Sequence, residues 1–327
     1  MLAKRIETLL QLKAYLLQNT DEWQQIKEHA ERQNGWFTKE FIEISTKAIC
    51  DQYLNESQLE NFASQLVTAE KNNQSTCVGI TMAGNIPMVG FHDFLSVYLS
   101  GNPQKIKYSS KDSVLMPYLV KKIIEFDQGN DALITESSML KNCDAYIATG
   151  SNSSALYFEK YFSKYPHIIR KNRTSIAILD GTESNTQLED LADDVYMYFG
   201  LGCRNVSKIF VPRNYDFVPL LKAFNKYDHL KNHNKYRNNY DYNLAIFILN
   251  NQYYMSNESI LLSENTSHYS AIAVLHYEYY DDAPAIQNTE EIQAIVGKDF
   301  IPFGKAQMPT LFDFADGISS IDFVNSL

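Results

Sequence analysis

A chain of 327 residues with 45% hydrophobic and 21% charged residues can bury a substantial core, and its length suggests two domains or three. A formal net charge of −10 argues against nucleic acid as a partner, because phosphate binding needs a basic face; local basic patches suited to a phosphorylated cofactor stay compatible with it. No apolar run approaches a membrane span, the start has no apolar signal core because Glu7, Gln11 and Lys13 interrupt it, and Cys50, Cys77, Cys143 and Cys203 form no Cys-x-x-Cys pair, which together predict a cytoplasmic protein with neither a disulfide framework nor a metal site.

The first seventy residues read as helical. Leu2, Ile6, Leu9, Leu10 and Leu16 follow helical spacing, Asn34-Gly35 is a stop signal, Thr38 caps a helix carrying Phe41, Ile42, Ile44 and Ile49, and Asn55 or Ser57 begins another. Such stripes predict a helical layer packed on the next domain. From Ser75 strand-length apolar runs at Thr76–Thr81, Lys105–Tyr108, Ala145–Thr149 and Ser175–Leu179 alternate with helix-length segments around Pro87–Leu99, Ser113–Phe126 and Asn152–Ser163. That grammar predicts a parallel sheet with helices on its faces and ligands at the carboxyl ends of its strands, where Asn85, Lys107 and Gly150 fall.

A helix over Leu188–Phe199 leads to the glycine turn Gly200-Leu201-Gly202-Cys203, a strand at Lys208–Val211 and a helix at Asp216–Phe224. The polar stretch Lys226–Tyr242 reads as a loop or mobile excursion, and apolar runs resume at Leu244–Leu249 and Ala271–Leu275. The expected domains are therefore a helical region at 1–74, a cofactor-binding α/β domain at 75–185, a catalytic α/β domain at 186–310 and a return segment at 311–327.

Cys203 is the strongest chemical candidate. Two glycines let the chain turn sharply and approach a ligand, and a thiol placed there is suited to attack a carbonyl carbon; the plain alternative is a small buried hydrophobe. Such an attack creates an oxyanion that needs donors already in place, and Asn85 in Gly84-Asn85-Ile86-Pro87 has a suitable amide, although Asn in that setting is also a common turn residue. His229 and His233 have i, i+4 spacing without a ligand constellation, the pairs Asp193-Asp194, Asp281-Asp282 and Glu290-Glu291 read as solvated faces, and His268 and His276 are candidates for protonating a leaving thiolate.

In order, Ala83-Gly84-Asn85-Ile86-Pro87, Ile106-Lys107-Tyr108-Ser109-Ser110, Tyr146-Ile147-Ala148-Thr149-Gly150-Ser151, Gly200-Leu201-Gly202-Cys203 and Phe314-Ala315-Asp316-Gly317 resemble the aldehyde dehydrogenase superfamily, and within it the acyl-CoA reductases typified by the fatty-acyl reductase of bacterial luminescence. The resemblance covers roughly residues 75–325 and implies an α/β fold with two Rossmann-like parallel-sheet domains behind an N-terminal helical layer. It implies Cys203 as nucleophile and Asn85 with the Cys203 N–H as oxyanion donors, Lys107 at the adenosine ribose, and Gly150-Ser151 before a helix whose N-terminus faces the pyrophosphate. Many relatives carry a ribose-binding carboxylate three residues after that lysine; Ser110 stands here beside Lys111, which favours NADPH. Hydrolytic relatives carry a water-activating glutamate just before the strand matching Ser175–Leu179, whereas this chain reads Ile168-Ile169-Arg170-Lys171-Asn172-Arg173, with no carboxylate, a basic run that lies either near a phosphate-bearing carrier or in a solvated loop.

The expected reaction is NADPH-dependent reduction of an acyl thioester, on CoA or an acyl carrier, to an aldehyde through an acyl-cysteine. A cysteine-dependent acyltransferase or thioesterase, and a non-catalytic assembly partner of the same fold, are the alternatives. Protein partners compatible with the reading are a second copy of the chain and a protein that donates or accepts the acyl group.

Overall fold

The computed structural model describes residues 2–68, 75–127 and 133–327. These divide into two compact units, residues 1–172 with 309–327 and residues 173–308. The expected boundary at 74 and 75 adjoins residues 69–74, which lie outside the described residues.

In the first unit the chain begins with α1 (Leu2–Gln18), α2 (Asp21–Gln33), α3 (Lys39–Ala48) and α4 (Glu56–Ser64). Thr20, Thr38 and Asn55 cap the last three, each side-chain oxygen accepting an N–H of the first turn. There follow β1 (Val78–Thr81), α5 (Phe91–Ser100), β2 (Gln104–Lys107), α6 (Leu115–Phe126), β3 (Ile134–Glu136), β4 (Ala145–Thr149), α7 (Asn152–Phe162) and β5 (His167–Arg170). The strands form one parallel sheet in the order β3-β2-β1-β4-β5. Leu9, Leu12, Phe37 and Phe62 of the helical layer belong to the same core as Val78, Ile80, Ile106 and Ile147, so the layer and the sheet are one unit. Nearly every residue of α5 is buried, and its buried polar side chains are hydrogen-bonded, Asp93 to Arg170, Ser96 to the His92 carbonyl and Ser100 to the Val97 carbonyl.

Residues 309–327 belong to this unit. There α11 (Ser320–Asn325, so numbered in chain order after the helices of the second unit) meets α5 through the Ser96 and Ser320 hydroxyls at 3.0 Å, and Asn325 exchanges hydrogen bonds with the Gln65 carbonyl (2.8 Å) and Val67 N–H (2.7 Å).

The second unit contains β6 (Thr174–Ile178), α8 (Asn185–Tyr196), β7 (Val206–Pro212), α9 (Phe217–Ala223), α10 (Asn234–Leu249), β8 (Met255–Ser256), β9 (Leu261–Glu264), β10 (Val274–Tyr280) and β11 (Ile292–Val296). Its sheet runs β11-β6-β7-β10-β9-β8, parallel except for the β8–β9 pair. The run expected to end the first domain, Ser175–Leu179, pairs with β7 and β11 as β6, so this sheet begins at Thr174 rather than after residue 185.

Two local expectations change. Lys226–Tyr242 is not an excursion: it forms a 3-10 turn over Phe224–Asn232 and most of α10. Tyr227, Tyr236 and Tyr240 bury their rings while their hydroxyls reach Asp193 (2.9 Å), the Ser259 carbonyl (2.9 Å) and Ser256 (2.8 Å), so a polar composition still packs. Leu244–Leu249 is correspondingly the last part of α10.

Candidate functional site

Within the first unit, the carboxyl ends of β1, β2 and β4 lie side by side, with Thr81 opposite both Lys107 and Ala148. Neighbouring strands are about 4.8 Å apart, so the segments after these three strands share one narrow edge. Lys107 ends β2 there, and Asn85, Ser110, Gly150 and Ser151 lie on the segments that leave this edge.

The Asn85 loop is braced from three directions. Gly84 is packed against the next loop so closely that a Cβ would lie 2.6 Å from Ser109 Oγ. Ser45 donates to the Pro87 carbonyl (2.8 Å), and the buried Asp112 carboxylate accepts the Met88 N–H (2.9 Å) as well as the Leu115 (3.1 Å) and Met116 (3.3 Å) N–H groups. One side chain thereby ties the Asn85 loop to the start of α6. Met88 is held at φ 57°, and the helix begins at Phe91 rather than at Pro87. Asn85 itself is half-buried.

Lys107 and Ser110 are exposed, and Ser151 caps α7 by accepting the Ser154 N–H (3.2 Å). Residues 151–153 are exposed, leaving the positive end of the α7 dipole open to solvent. The preceding turn is fixed by Gly150 N–H donating to the Arg170 carbonyl (3.2 Å). Arg170 is neither in a solvated loop nor facing a carrier: its buried guanidinium binds Asp93 (2.9 Å) and the Ala315 carbonyl. Burial alone would raise the Asp93 carboxyl, but Arg170 outweighs it and holds the acid below its ordinary value. Lys171 pairs with Glu159 at 2.8 Å, and Arg173 donates to the Ile292 carbonyl (3.2 Å).

Cys203 belongs to the second unit and stands on a backbone that departs from the expected helix. After α8 ends at Tyr196, Tyr198 (φ 54°), Phe199 (φ 58°) and Gly200 (φ 73°) are all left-handed. Two non-glycine residues in that region cost roughly 1–2 kcal/mol each, and such strain concentrates at functional sites. Asn205 holds the loop together. Its side-chain Oδ1 accepts the Gly202 N–H (2.8 Å), and its side-chain NH2 donates to the carbonyls of Asp194 (3.0 Å) and Met197 (2.8 Å). Ser175 at the start of β6 donates to the Cys203 carbonyl (3.0 Å), and Cys203 is half-buried. Asn205 escaped the sequence reading; its signal was an Asn two residues after the thiol, a residue type suited to bonding backbone in turns.

Asp194 also departs from its expected solvated role. Fully buried, it accepts the Gly304 (2.7 Å) and Ala306 (2.9 Å) N–H groups. Burial raises its carboxyl to about 7, against those donors, and likewise raises Asp112 to about 6. A carboxyl held above its unfolded value of about 4 contributes most to stability below that pH and loses the contribution as pH rises through its folded value. Wild type should therefore lose urea stability relative to Asp194→Asn between about pH 4 and about pH 7. Asp194→Ala, which orphans the buried Ala306 N–H and the part-buried Gly304 N–H, should cost about 2–4 kcal/mol.

The candidate histidines resolve differently. His233 caps α10 by accepting the Tyr236 N–H (3.3 Å) and packs on Phe199, and no group of three metal-ligating side chains occurs among the described residues. His268 and His276 are buried, and burial, with Lys208 adding to it, holds both below the ordinary histidine value, so they are neutral at pH 7. A cavity of about 500 Å³, lined by Ile178, Asp180, Glu183, Tyr280, Lys298 and Phe300, lies at the carboxyl edge of the second sheet. Cys203 precedes β7 and so belongs to the opposite, amino edge.

Comparison with known proteins gives this architecture a family. Among solved structures, aldehyde dehydrogenase 21 from Physcomitrella patens in complex with the reaction product succinate matches with a TM-score of 0.67 at 11% identity, over 91% of this chain and 74% of that one. The NAD+ complex of an aldehyde dehydrogenase from Bacillus cereus matches with 0.68 at 11% identity over 91% and 72%, and the P. syringae indole-3-acetaldehyde dehydrogenase AldA, in complex with NAD+ and IAA, with 0.65 at 15% over 91% and 72%. These likenesses establish an aldehyde-dehydrogenase-like fold. Comparison with the sequences of curated proteins finds no match. The sequence profile of the family described as acyl-CoA reductase (LuxC) matches residues 4–220, more than half of the chain and inclusive of the Asn85, Lys107, Gly150 and Cys203 segments. No helix of the described residues is long and apolar enough to cross a membrane. The protein belongs to the acyl-CoA reductase (LuxC) family, a family of enzymes.

Proposed function

We propose that the protein reduces a fatty acyl thioester to the aldehyde with NADPH, through an acyl group carried on Cys203. The observation that carries this reading is the build of the Cys203 loop: a half-buried thiol on a left-handed turn, its backbone locked by Asn205 and Ser175. A nucleophile needs such fixed placement, whereas a packing cysteine does not.

The first-unit edge suits a phosphorylated dinucleotide by the chemistry of its donors. An open helix N-terminus and the exposed Lys107 offer positive charge to phosphate, and Ser110 offers a hydroxyl where a carboxylate would repel a 2′-phosphate. The carboxylate on the adjoining strand end, Glu136, accepts a hydrogen bond from Tyr108 (3.3 Å). Lys107, Ser110, Gly150 and Ser151 would hold the cofactor, which when bound supplies hydride.

In this mechanism the Cys203 thiolate bonds to the thioester carbon, the Asn85 amide and the Cys203 N–H receive the resulting oxyanion, and collapse re-forms the carbonyl as the bond to the carrier sulfur breaks and the carrier thiolate leaves. The segment 168–173, which the resemblance sets where hydrolytic relatives carry their glutamate, holds no carboxylate of its own to activate water, and its Arg170 is paired with Asp93. The acyl-enzyme is thereby reserved for reduction. Acyl-CoAs of graded length should drive oxidation of NADPH with production of aldehyde, followed at the NADPH absorbance band; free acid instead of aldehyde would favour a thioesterase. NADPH should bind more tightly than NADH, and Ser110→Glu should erase or reverse that preference in a fluorescence titration. A native preference for NADH would overturn the assignment of Ser110.

A further inference from the structure

Cys77 and Cys143, far apart in sequence and unused by the reaction above, are neighbours at the amino ends of β1 and β4. The Cys77 carbonyl accepts the Asp144 (2.8 Å) and Ala145 (3.3 Å) N–H groups, and the Cys77 N–H donates to the Asp144 carboxylate (2.9 Å). The register sets Val78 opposite Ala145, so Cys77 faces Asp144 and Cys143 is its diagonal neighbour; strand spacing and rise per residue put such neighbours about 6 Å apart, inside the 4.4–6.8 Å that Cα atoms of a disulfide span. Asn142, at φ 56°, turns the chain so that the Cys143 sulfur rests over β1, where a Cβ on Gly79 would be 3.1 Å from it. Gly79 is two residues beyond Cys77 and shares its face of the strand, and its missing side chain leaves room for the Cys143 sulfur and the Tyr146 ring on that face.

Burial first, and then the Cys77 thiol, push Cys143 up to about 12, while Lys105 opposes the shift and Asp144 adds to it. Both cysteines are free thiols here; Cys143 is 3% exposed and Cys77 is half-exposed.

We propose that Cys77 and Cys143 are a redox-modifiable pair that closes reversibly to a disulfide across the amino edge of the first sheet when the protein meets a peroxide. The accessible Cys77 thiolate attacks a peroxide oxygen, the O–O bond breaks, and Cys77 becomes a sulfenic acid as water leaves. The Cys143 sulfur then attacks Cys77, the S–O bond breaks, and the departing hydroxide takes the Cys143 proton as a second water. Two thiols lose two electrons and one hydrogen peroxide gains them. A dithiol reductant reverses the bond by exchange. The closed bond staples β1 to β4 at the ends opposite the Asn85 loop and the Gly150 turn.

The reduced full-length protein should be exposed to hydrogen peroxide, quenched with an alkylating reagent and digested without reductant. A cross-linked peptide joining Cys77 to Cys143 is expected, reversed by dithiothreitol, with Cys50 still alkylated and the apparent Tm raised by several degrees. Cys77→Ser should lose both the cross-link and the Tm rise. Cys203→Ser keeps both thiols and should still form the cross-link, which separates this proposal from the reading of Cys203. Alkylation of both Cys77 and Cys143 at a peroxide concentration that consumes Cys203 would overturn the proposal. So would Cys77 recovered as sulfinic acid beside an alkylated Cys143.

Discussion

Mixed with acyl-CoA and no NADPH, the protein is expected to release one equivalent of thiol and stop, carrying the acyl group on Cys203. Thiol attack needs only the nucleophile and its oxyanion donors, so the first half of the reaction runs without the cofactor. The second half requires an acceptor, and on the proposed reading the segment 168–173 offers no carboxylate to activate water; its Arg170 is instead bound to Asp93 and the Ala315 carbonyl. Intact-mass measurement should show the acyl adduct, Cys203→Ala should abolish it, and NADPH should discharge it as aldehyde. Steady release of free acid would instead point to a thioesterase, and failure of every acyl chain to form an adduct would leave an aldehyde-dehydrogenase-like protein without this chemistry.

Much of the first sheet was legible because its strands are short apolar runs separated by residues with local jobs. Ala145–Thr149 has the expected limits, Thr38 caps the helix it was expected to cap, and of the two expected starts Asn55 and Ser57 it is Asn55 that caps, since capping depends on a side chain and the next three residues. What escaped the sequence depends on distant partners. Asp194 looks solvated beside Asp193 until the Gly304 and Ala306 N–H groups are found to close on it. Arg170 looks like one charge of a basic run until Asp93, far away in sequence, neutralises it. The run Lys226–Tyr242 looks unstructured by composition, yet its tyrosines bury their rings and satisfy their hydroxyls on residues that no local pattern connects to them.

The candidate site divides in the same way. The residues expected at the first-sheet edge, Asn85, Lys107, Ser110, Gly150 and Ser151, follow from the strand grammar and the resemblance together, and the β1 register brings their segments side by side. The machinery that positions Cys203 was not legible. Aromatic residues such as Tyr198 and Phe199 disfavour left-handed backbone, so a helix was expected to run through them, and the hydrogen bonds of Asn205 and Ser175 that hold the turn come from outside that pattern.

Replacing Asn85 separates an oxyanion donor from a turn residue. Asn85→Ala should lower the rate of acylation by about a hundredfold to a thousandfold, the usual loss when one such donor is removed. The loop should survive the change, because Gly84 stays packed on Ser109, Ser45 still donates to the Pro87 carbonyl and Asp112 still accepts the Met88 N–H. Asn85→Asp gives the sharper contrast. Aspartate keeps the size and turn preference of asparagine but presents an anion to the developing oxyanion, so acylation should fall at least as far as in the alanine variant. If Asn85 served only the turn, the aspartate variant would retain native acylation while the alanine variant lost stability. Circular dichroism and urea unfolding of both variants, set beside the rate of thiol release, distinguish the two roles: a folded aspartate variant that acylates at the native rate would remove Asn85 from the chemistry.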